Sequence, residues 1–244
     1  MKDKNKPNLL VSFSGGETSA YMMYFISKYW QNKFNIHYLF ANTGEEHEET
    51  LKFIENCCNH FDILCEWLEY DLKESKSHFK IVDYNIASRN GEPFEKMISK
   101  NGIPNSSYPH CTRDLKLEPM KKYIKTCLKW KEYYTAVGIR ADEVDRVSVK
   151  RKEFKLLYPL ITEVPMSKQK INFWWSQMPF RLNLKGYQGN CKTCWKKSNK
   201  KLETIANENP EWFNNFKIWE QKYGNYFPKS QNRPEENKIR FFRN

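Results

Sequence analysis

The sequence predicts an α/β protein: a doubly wound, mostly parallel sheet between two layers of helices, followed by a smaller helical and basic region. Short apolar runs alternate with stretches of helical spacing between residues 8 and 68, an order that calls for right-handed crossovers and parallel strands. A glycine turn follows the first apolar run. The 244 residues are enough for one large domain with an appendage.

Five elements are predicted in the first part of the chain, because apolar runs there alternate with apolar residues that recur every three or four positions. They are a strand at 8–13, a helix at 19–30, a strand at 36–41, a helix at 48–60 and a strand at 63–68. Ligands of such sheets bind beyond the carboxyl ends of the strands. The turns at 14–19 and 42–44 both fall at that edge.

The rest of the chain is less regular. The predicted elements are a helix at 115–128, a strand at 133–137 and a short extended segment at 158–161. From residue 168 onward the chain is aromatic and basic, and residues 185–244 carry 13 Lys or Arg against 6 Asp or Glu. We therefore place a domain boundary near residue 165, which divides the chain into domains 1–165 and 166–244.

Composition narrows the function classes. The net charge of +12 favours polyanionic ligands such as nucleotides or nucleic acid, although the basic residues are spread over the chain and a general excess of lysine would explain them equally well. Seven cysteines in a chain of this length indicate thiols, metal ligands or catalysts rather than a disulfide framework. With neither a long apolar run nor an apolar N-terminal stretch, we expect no membrane partner and a cytoplasmic location.

The most informative motif is Ser12-Phe-Ser14-Gly15-Gly16-Glu17-Thr18-Ser19. Two glycines let the backbone approach a ligand closely, and the hydroxyls of Ser12, Ser14, Thr18 and Ser19 can surround a phosphate together with the N–H groups of the first helical turn. An ordinary helix cap would need one hydroxyl rather than four. The turn lacks the lysine of the common P-loop.

This loop resembles the PP-loop of the N-type ATP pyrophosphatases, and within them the chain is similar to the phosphoadenosine phosphosulfate (PAPS) reductase family. Further stretches share the resemblance in the same order along residues 8–165. They are Phe40-Ala41-Asn42-Thr43-Gly44 with Glu49-Thr50, His110-Cys111 with Asp114, Lys116 and Pro119, Gly138-Ile139-Arg140-Ala141-Asp142-Glu143 with Arg146, and Tyr158-Pro159-Leu160.

The resemblance implies a Rossmann-like α/β/α sandwich that binds ATP, PAPS or adenylyl sulfate. We expect the nucleotide to contact residues 12 and 14–19, including Glu17, and the second turn, Asn42, Thr43 and Gly44. Lys116, Arg140 and Arg146 would stabilise charge on the phosphates. The alternative for the two arginines is surface ion pairing with neighbouring acids. Because Thr18 stands where the family usually has Asp, a magnesium ion would need Glu17, Asp142 or Glu143.

The resemblance also points to a metal centre. In adenylyl sulfate reductases a Cys-Cys pair and a later Cys-x-x-Cys hold an iron–sulfur cluster. In this chain His110 replaces the first cysteine, which leaves Cys111, Cys191 and Cys194. Three thiolates suit a 4Fe-4S cluster with one open iron, three thiolates with an imidazole suit zinc, and free reduced thiols are the third alternative. The Gly189-Asn190 turn before Cys191 is typical of a metal knuckle.

Three functions follow from these observations. The first is an enzyme that adenylates an acceptor with ATP, releasing pyrophosphate, so that sulfur from a donor protein displaces AMP; the acceptor would be tRNA or DNA, whose backbone Lys196–Lys201 would contact. The second is a PAPS or adenylyl sulfate reductase. Its mobile nucleophilic cysteine near the C-terminus is missing, since no cysteine follows Cys194 in these residues. The third is a nucleotide- or nucleic-acid-binding module without turnover.

Overall fold

The computed structural model describes residues 5–72, 78–189 and 191–228, and its centre is a six-stranded sheet. The strand order is β4-β3-β2-β1-β5-β6, with β4 antiparallel to β3 and all other neighbours parallel. The strands are β1 (Asn8–Phe13), β2 (Asn35–Asn42), β3 (Cys65–Tyr70), β4 (Phe79–Val82), β5 (Tyr134–Ala136) and β6 (Leu156–Leu157). The predicted doubly wound, mostly parallel α/β fold is therefore confirmed.

Eight α-helices are described. They are α1 (Glu17–Tyr29), α2 (Glu48–Phe61), α3 (Glu92–Asn101), α4 (Glu118–Tyr123), α5 (Pro159–Thr162), α6 (Lys168–Ser176), α7 (Asn199–Glu208) and α8 (Asn214–Tyr223). Wider π-helical turns at Arg113–Leu117 and Ile124–Leu128 flank α4, so the helix runs without a break over 113–128. Short 3₁₀ turns lie at Ala141–Arg146 and Pro210–Phe213. None of the helices in the described part of the chain is long and apolar enough to cross a bilayer.

The sheet is covered on both faces because successive β1 side chains point to opposite sides. Leu9 and Val11 pack with α1, α2 and α6 in one apolar core. Leu10 packs on the other side with Met120 and Ile124 of the helix at 113–128. A third cluster joins α3 to α8, where the ring of Phe94 stacks on Trp219 with centroids 5.2 Å apart.

The structure corrects one predicted element and adds others. Residues 158–161 were expected to be extended, but α5 begins at Pro159, whose fixed φ suits the first position of a helix. The neighbouring strand, β6, lies two residues earlier. The short edge strand β4 and the helix α3 were not predicted. The helical C-terminal region is confirmed, whereas the domain boundary near residue 165 stays a prediction.

Trp175 joins helix α6 to the main core, and its side chain is fully buried. Its ring centroid lies 4.9 Å from that of Phe53, and its indole N–H donates to the carbonyl of Glu17 at 3.0 Å. We expect Trp175→Ala to lower the free energy of unfolding by about 3–5 kcal/mol, measured by urea denaturation. The control is Phe173→Ala, two residues away, because the Phe173 side chain is 70% exposed and its loss should change the free energy of unfolding little. Equal losses for the two variants would contradict this packing.

Candidate functional site

The site lies where the strand order of the sheet reverses, between β1 and β5. β1 pairs with β2 on one side and with β5 on the other, so the turns that follow β1 and β5 lie at the point of the carboxyl edge where such sheets form their ligand crevice. A Cβ atom on Gly138, after β5, would lie 3.1 Å from the Cα atom of Ser19. A side chain at position 138 would require the start of α1 to shift by a few tenths of an ångström.

The turn after β1 has the geometry of an anion-binding loop. Gly15 has φ +77°, and a Cβ atom there would lie 2.6 Å from the Thr50 methyl group, so the turn is pressed against α2. The Ser19 hydroxyl accepts from the Ser14 backbone N–H at 3.3 Å and donates to the Gly16 carbonyl at 2.9 Å. Among the described residues no side chain caps the N-terminus of α1. Its first-turn N–H groups can therefore serve an anion.

Arg140 connects the two turns. Its guanidinium donates to the Thr18 hydroxyl at 3.3 Å and is only 18% exposed. It also pairs with Asp142 at 2.9 Å and with Glu143 at 3.3 Å. Arg146 is 60% exposed and pairs with Glu143. Both arginines therefore form ion pairs with the neighbouring acids, as the alternative interpretation predicted. Of the two, Arg140 also contacts the phosphate loop.

Glu17 contacts the C-terminal region, and its predicted contact with the nucleotide stays a prediction. Its carboxylate receives a two-pronged ion pair from Arg181, at 3.0 and 3.1 Å, and its carbonyl receives the Trp175 indole. Together with the arginine pairs of Asp142 and Glu143, this leaves all three carboxylates proposed for magnesium engaged with arginine. Glu17 instead anchors the C-terminal region to the start of α1.

Ser12 lies beneath the turn rather than in it. Its hydroxyl faces Met120 on the opposite face of the sheet from α1, with Oγ and Sδ 4.0 Å apart. The second turn is buried as well: the Asn42 amide donates to Glu69 at 2.7 Å and to the Ser88 carbonyl at 2.8 Å. The Gly44 N–H donates back to the Asn42 side chain at 3.2 Å. These side chains brace the loop internally, so contact with a nucleotide through them stays a prediction.

Glu46 is the residue around which the second half of the site is assembled. It accepts from both the backbone N–H and the hydroxyl of Thr43 at 2.8 Å, and its other oxygen lies 3.5 Å from Lys116 Nζ. Residue 46 also forms a single antiparallel bridge with Cys191, and the Thr43 hydroxyl lies 3.5 Å from the Cys191 sulfur. The C-terminal cysteine motif is thereby held against the turn after β2.

Lys116 and Cys191 influence each other's charge. Burial lowers the pKa of Lys116, but Glu46, Cys191 and Cys194 outweigh it and leave the pKa raised, so the ammonium form is held. Burial and the Glu46 carboxylate raise the pKa of Cys191, against which Lys116 acts. Cys191 is therefore a thiol at rest beside a fixed cation.

The three predicted thiols lie in one neighbourhood. Burial raises the pKa of Cys111, Cys194 raises it further, and Lys196 opposes the shift in part. His110 pairs through Nδ1 with Asp114 at 2.9 Å, and its Nε2 is buried with no hydrogen-bond partner among the described residues. Within residues 5–72, 78–189 and 191–228 no three His, Cys, Asp or Glu side chains are arranged to hold a metal ion. Binding of a cluster or zinc by Cys111, Cys191, Cys194 and His110 therefore stays a prediction, and Asn190 lies outside the described residues.

Glu45, which the sequence did not single out, is fully buried beside this assembly. One carboxylate oxygen accepts from the Asn215 amide at 2.7 Å, and the other has no partner among the described residues. Burial raises the pKa of Glu45 to about 7, and Asn215 and Lys192 oppose the shift only in part. The acid form of Glu45 therefore suits the folded chain better than the carboxylate.

This pKa has a testable consequence for stability. The unfolded carboxyl titrates near 4.5, so the bound proton stabilises the folded chain fully below that pH, and the stabilisation is lost as the pH rises through about 7, a loss of about 3 kcal/mol. We expect Glu45→Gln to become more stable relative to the unchanged chain as the pH rises from 5 to 8, measured by urea unfolding. The exposed Glu203→Gln is the control; a pH-independent difference for Glu45→Gln would contradict the assignment.

The residues missed by the sequence reasoning share one property. Glu45, Glu46 and Arg181 each have a partner at least 70 residues away, namely Asn215, Lys116 and Glu17, so no local spacing marks these contacts. The sequence did offer one signal for Glu45 and Glu46, which directly follow the Thr43-Gly44 turn. If that turn is buried, two adjacent carboxyl groups must be either paired with a cation or neutral.

The chain is similar in sequence to proteins from a bacteriophage and an archaeon. An uncharacterized nin region protein of Escherichia phage lambda is 33% identical over 199 residues, which are 79% of this chain and 67% of that protein. An uncharacterized protein of Methanocaldococcus jannaschii is 31% identical over 143 residues, 57% of this chain. A second protein from that organism is 28% identical over 180 residues. The matches span only 28% and 31% of the two archaeal proteins.

Similarity to solved structures is weaker. A predicted subunit of tRNA methyltransferase from Methanocaldococcus jannaschii gives a TM-score of 0.37 at 16% identity, covering 84% of this chain and 91% of that one. The U34-tRNA thiolase NcsA from Methanococcus maripaludis, solved with its [4Fe-4S] cluster, gives 0.39 at 14% identity, covering 98% and 80%. Scores at this level support no inference about activity.

The decisive comparison is with protein families. The phosphoadenosine phosphosulfate reductase domain matches residues 8–156, more than half of the chain, and spans both turns of the crevice. The glycine loop, the Thr43-Gly44 turn and the Gly138–Arg140 turn fall within this match in the order that the resemblance predicted. The chain therefore belongs to the phosphoadenosine phosphosulfate reductase family.

Proposed function

We propose that this chain is a PP-loop enzyme that adenylates an acceptor with ATP and then delivers sulfur to it. One observation carries the proposal: Cys191 lies 3.5 Å from the Thr43 hydroxyl, on the turn after β2, while the phosphate loop follows β1, which is the neighbouring strand in register. Adjacent strands are about 5 Å apart. A sulfur-handling group and a phosphate-binding group thus share one edge.

The first step needs an ordered triphosphate. The first-turn N–H groups of α1 and the hydroxyls of Ser14 and Thr18 would hold its oxygens, and Arg140, already fixed against Thr18, would offset charge as it builds. An acceptor oxygen attacks the α-phosphorus, the bond between α-phosphorus and bridging oxygen breaks, and pyrophosphate leaves. The magnesium ion expected with ATP is not assigned to any carboxylate.

The second step transfers sulfur. A persulfide-carrying donor protein would leave a persulfide on Cys191, whose terminal sulfur attacks the activated carbon or phosphorus as AMP leaves with the acceptor oxygen. Cys194, with its N–H 3.2 Å from the Cys191 carbonyl, would then attack the Cys191 sulfur. This releases the thiolated acceptor and leaves a Cys191–Cys194 disulfide, which a dithiol reductant restores. Lys116 stabilises the anionic sulfur.

Pyrophosphate release is the test. Purified protein with ATP should release pyrophosphate, faster when RNA or DNA is added, and should form no sulfite from PAPS. Sulfite formation would instead establish the second function, PAPS or adenylyl sulfate reduction, which the family match favours. Binding of ATP, PAPS and nucleic acid without turnover would overturn both and leave a binding module.

The iron–sulfur cluster or zinc implied by the family resemblance is tested separately. Elemental analysis of protein purified without oxygen should show neither iron nor zinc at one site per chain, because the donor set described above does not converge. A brown chromophore or stoichiometric zinc that disappears in Cys191→Ser would replace the persulfide route with a metal centre.

A further inference from the structure

We infer that a groove between α6 and α7 binds the backbone of a single-stranded polynucleotide, the acceptor of the proposed reaction. The groove has a volume of about 470 Å³, and its lining includes Lys168, Lys200, Lys201, Tyr187 and Ser198. A cavity of this size holds a ligand of one or two nucleotides rather than a duplex. The inference rests on the proposed function, since it names the partner of that site.

In the part of the chain that the structure describes, no acidic side chain pairs with the lysines that line the groove. Lys200 and Lys201 are exposed in the first turn of α7, a turn that carries no acidic residue. Cations at a helix N-terminus repel the positive end of the helix dipole. The Ser198 side chain, at the N-cap position, makes no capping bond within the described residues. Lysines, a free hydroxyl and uncapped N–H groups therefore face one space, an arrangement that an anionic chain would stabilise.

The lysines elsewhere in this region are already engaged, which distinguishes the groove from a generally basic surface. Lys197 donates to the carbonyls of Tyr187 and Gly189 at 2.8 and 2.7 Å, and Lys185 pairs with Glu208. These contacts shape the wall of the groove. Lys168, Lys200 and Lys201 project into it.

The walls of the groove connect to both halves of the site. The Lys168 backbone N–H lies 3.3 Å from Asp142, and Asp142 holds Arg140, which touches the phosphate loop. On the other wall, the Tyr187 carbonyl accepts from Lys197, whose backbone N–H donates to the Cys194 carbonyl at 2.9 Å. The two walls are thus joined by short chains of contacts to the phosphate loop on one side and to the cysteine motif on the other. Positive grooves that follow a backbone are the usual means of binding single strands without sequence preference.

Fluorescence anisotropy with short labelled oligo(rU), oligo(dT) and a duplex of the same length tests the groove, without ATP. We expect both single strands to bind more tightly than the duplex, and Lys200→Gln/Lys201→Gln to weaken binding at least tenfold. The slope of log K against the logarithm of salt concentration should become shallower by about 1.4, since the variant loses two phosphate contacts and each contributes about 0.7 to a single-strand slope. The control is Lys125→Gln/Lys129→Gln, which removes the same charge from exposed positions before β5, at the opposite edge.

The outcomes separate the two proposals. Equal weakening in both double variants, a preference for duplex, or no binding by the unchanged chain at about 50 mM salt would overturn the groove. Unchanged binding by Lys200→Gln/Lys201→Gln would do the same even if ATP is cleaved. Loss of binding in that variant alone, with no pyrophosphate released by the unchanged chain, would keep the groove and overturn adenylation. A difference between oligo(rU) and oligo(dT) would identify the acceptor as RNA or DNA.

Discussion

Gly16→Val is expected to weaken ATP binding by about 100-fold or more, equivalent to ~3 kcal/mol, and to abolish pyrophosphate release. Gly16 has φ −101° and ψ 156°, a conformation open to any residue, and a Cβ atom there meets only the Ser14 hydroxyl, at 3.9 Å. The fold therefore tolerates the side chain. The added methyl groups would, however, occupy the space in front of the first-turn N–H groups that a phosphate needs.

Position 16 is a sharper test than position 15. A side chain at Gly15 would collide with Thr50 and Ile54 and would adopt a left-handed φ. Loss of binding in a Gly15 variant would therefore mix unfolding with loss of the site.

The measurements are isothermal titration with ATP and a thermal melt of each variant. Gly186→Val serves as the control, since a Cβ atom there meets nothing within 4 Å; it should bind ATP as the unchanged chain does. If Gly16→Val keeps tight ATP binding, the phosphate loop is not the nucleotide site. If it melts well below the control, the substitution has damaged the fold and the steric argument for position 16 is wrong.

The sequence was informative wherever structure is determined locally. Strands β1 to β3 and helices α1 and α2 were predicted to within two residues, because apolar periodicity and the glycine turn are both visible in neighbouring residues. Helix α3 was missed although Gly91 and Pro93 mark its start. Strand β4 has four residues with an exposed Ile81, too short a pattern to distinguish from a loop.

The site divides in the same way. The phosphate loop and Arg140 were predicted from motifs, and the structure brings them within 3.3 Å of each other. The assembly of Glu46, Lys116 and Cys191 was not predictable, since residues 70 and more apart in sequence meet only through the fold. The ligand role of His110 stays a prediction: its Nδ1 pairs with Asp114, one helical turn away, and its Nε2 has no hydrogen-bond partner among the described residues.

Cys191→Ser is expected to abolish sulfur delivery while leaving pyrophosphate release intact, because the thiol lies at the turn after β2 and not in the phosphate loop. The measurement is the mass of the intact chain, and of its peptides, after incubation with a cysteine desulfurase and cysteine. The unchanged chain and Cys194→Ser should carry one added sulfur atom on Cys191. Cys191→Ser should carry none.

Cys127→Ser provides the matched control for this experiment. Its thiol is exposed on the helix at 113–128, so simple accessibility would make it the first to react, whereas Cys191 lies beside the Lys116 ammonium group that can hold an anionic sulfur. Added sulfur on Cys127 in preference to Cys191 would show that exposure alone governs the reaction. Loss of pyrophosphate release in Cys191→Ser would instead show that the cysteine takes part in adenylation. The proposal that the phosphate loop carries adenylation and the turn after β2 carries sulfur transfer would then be wrong.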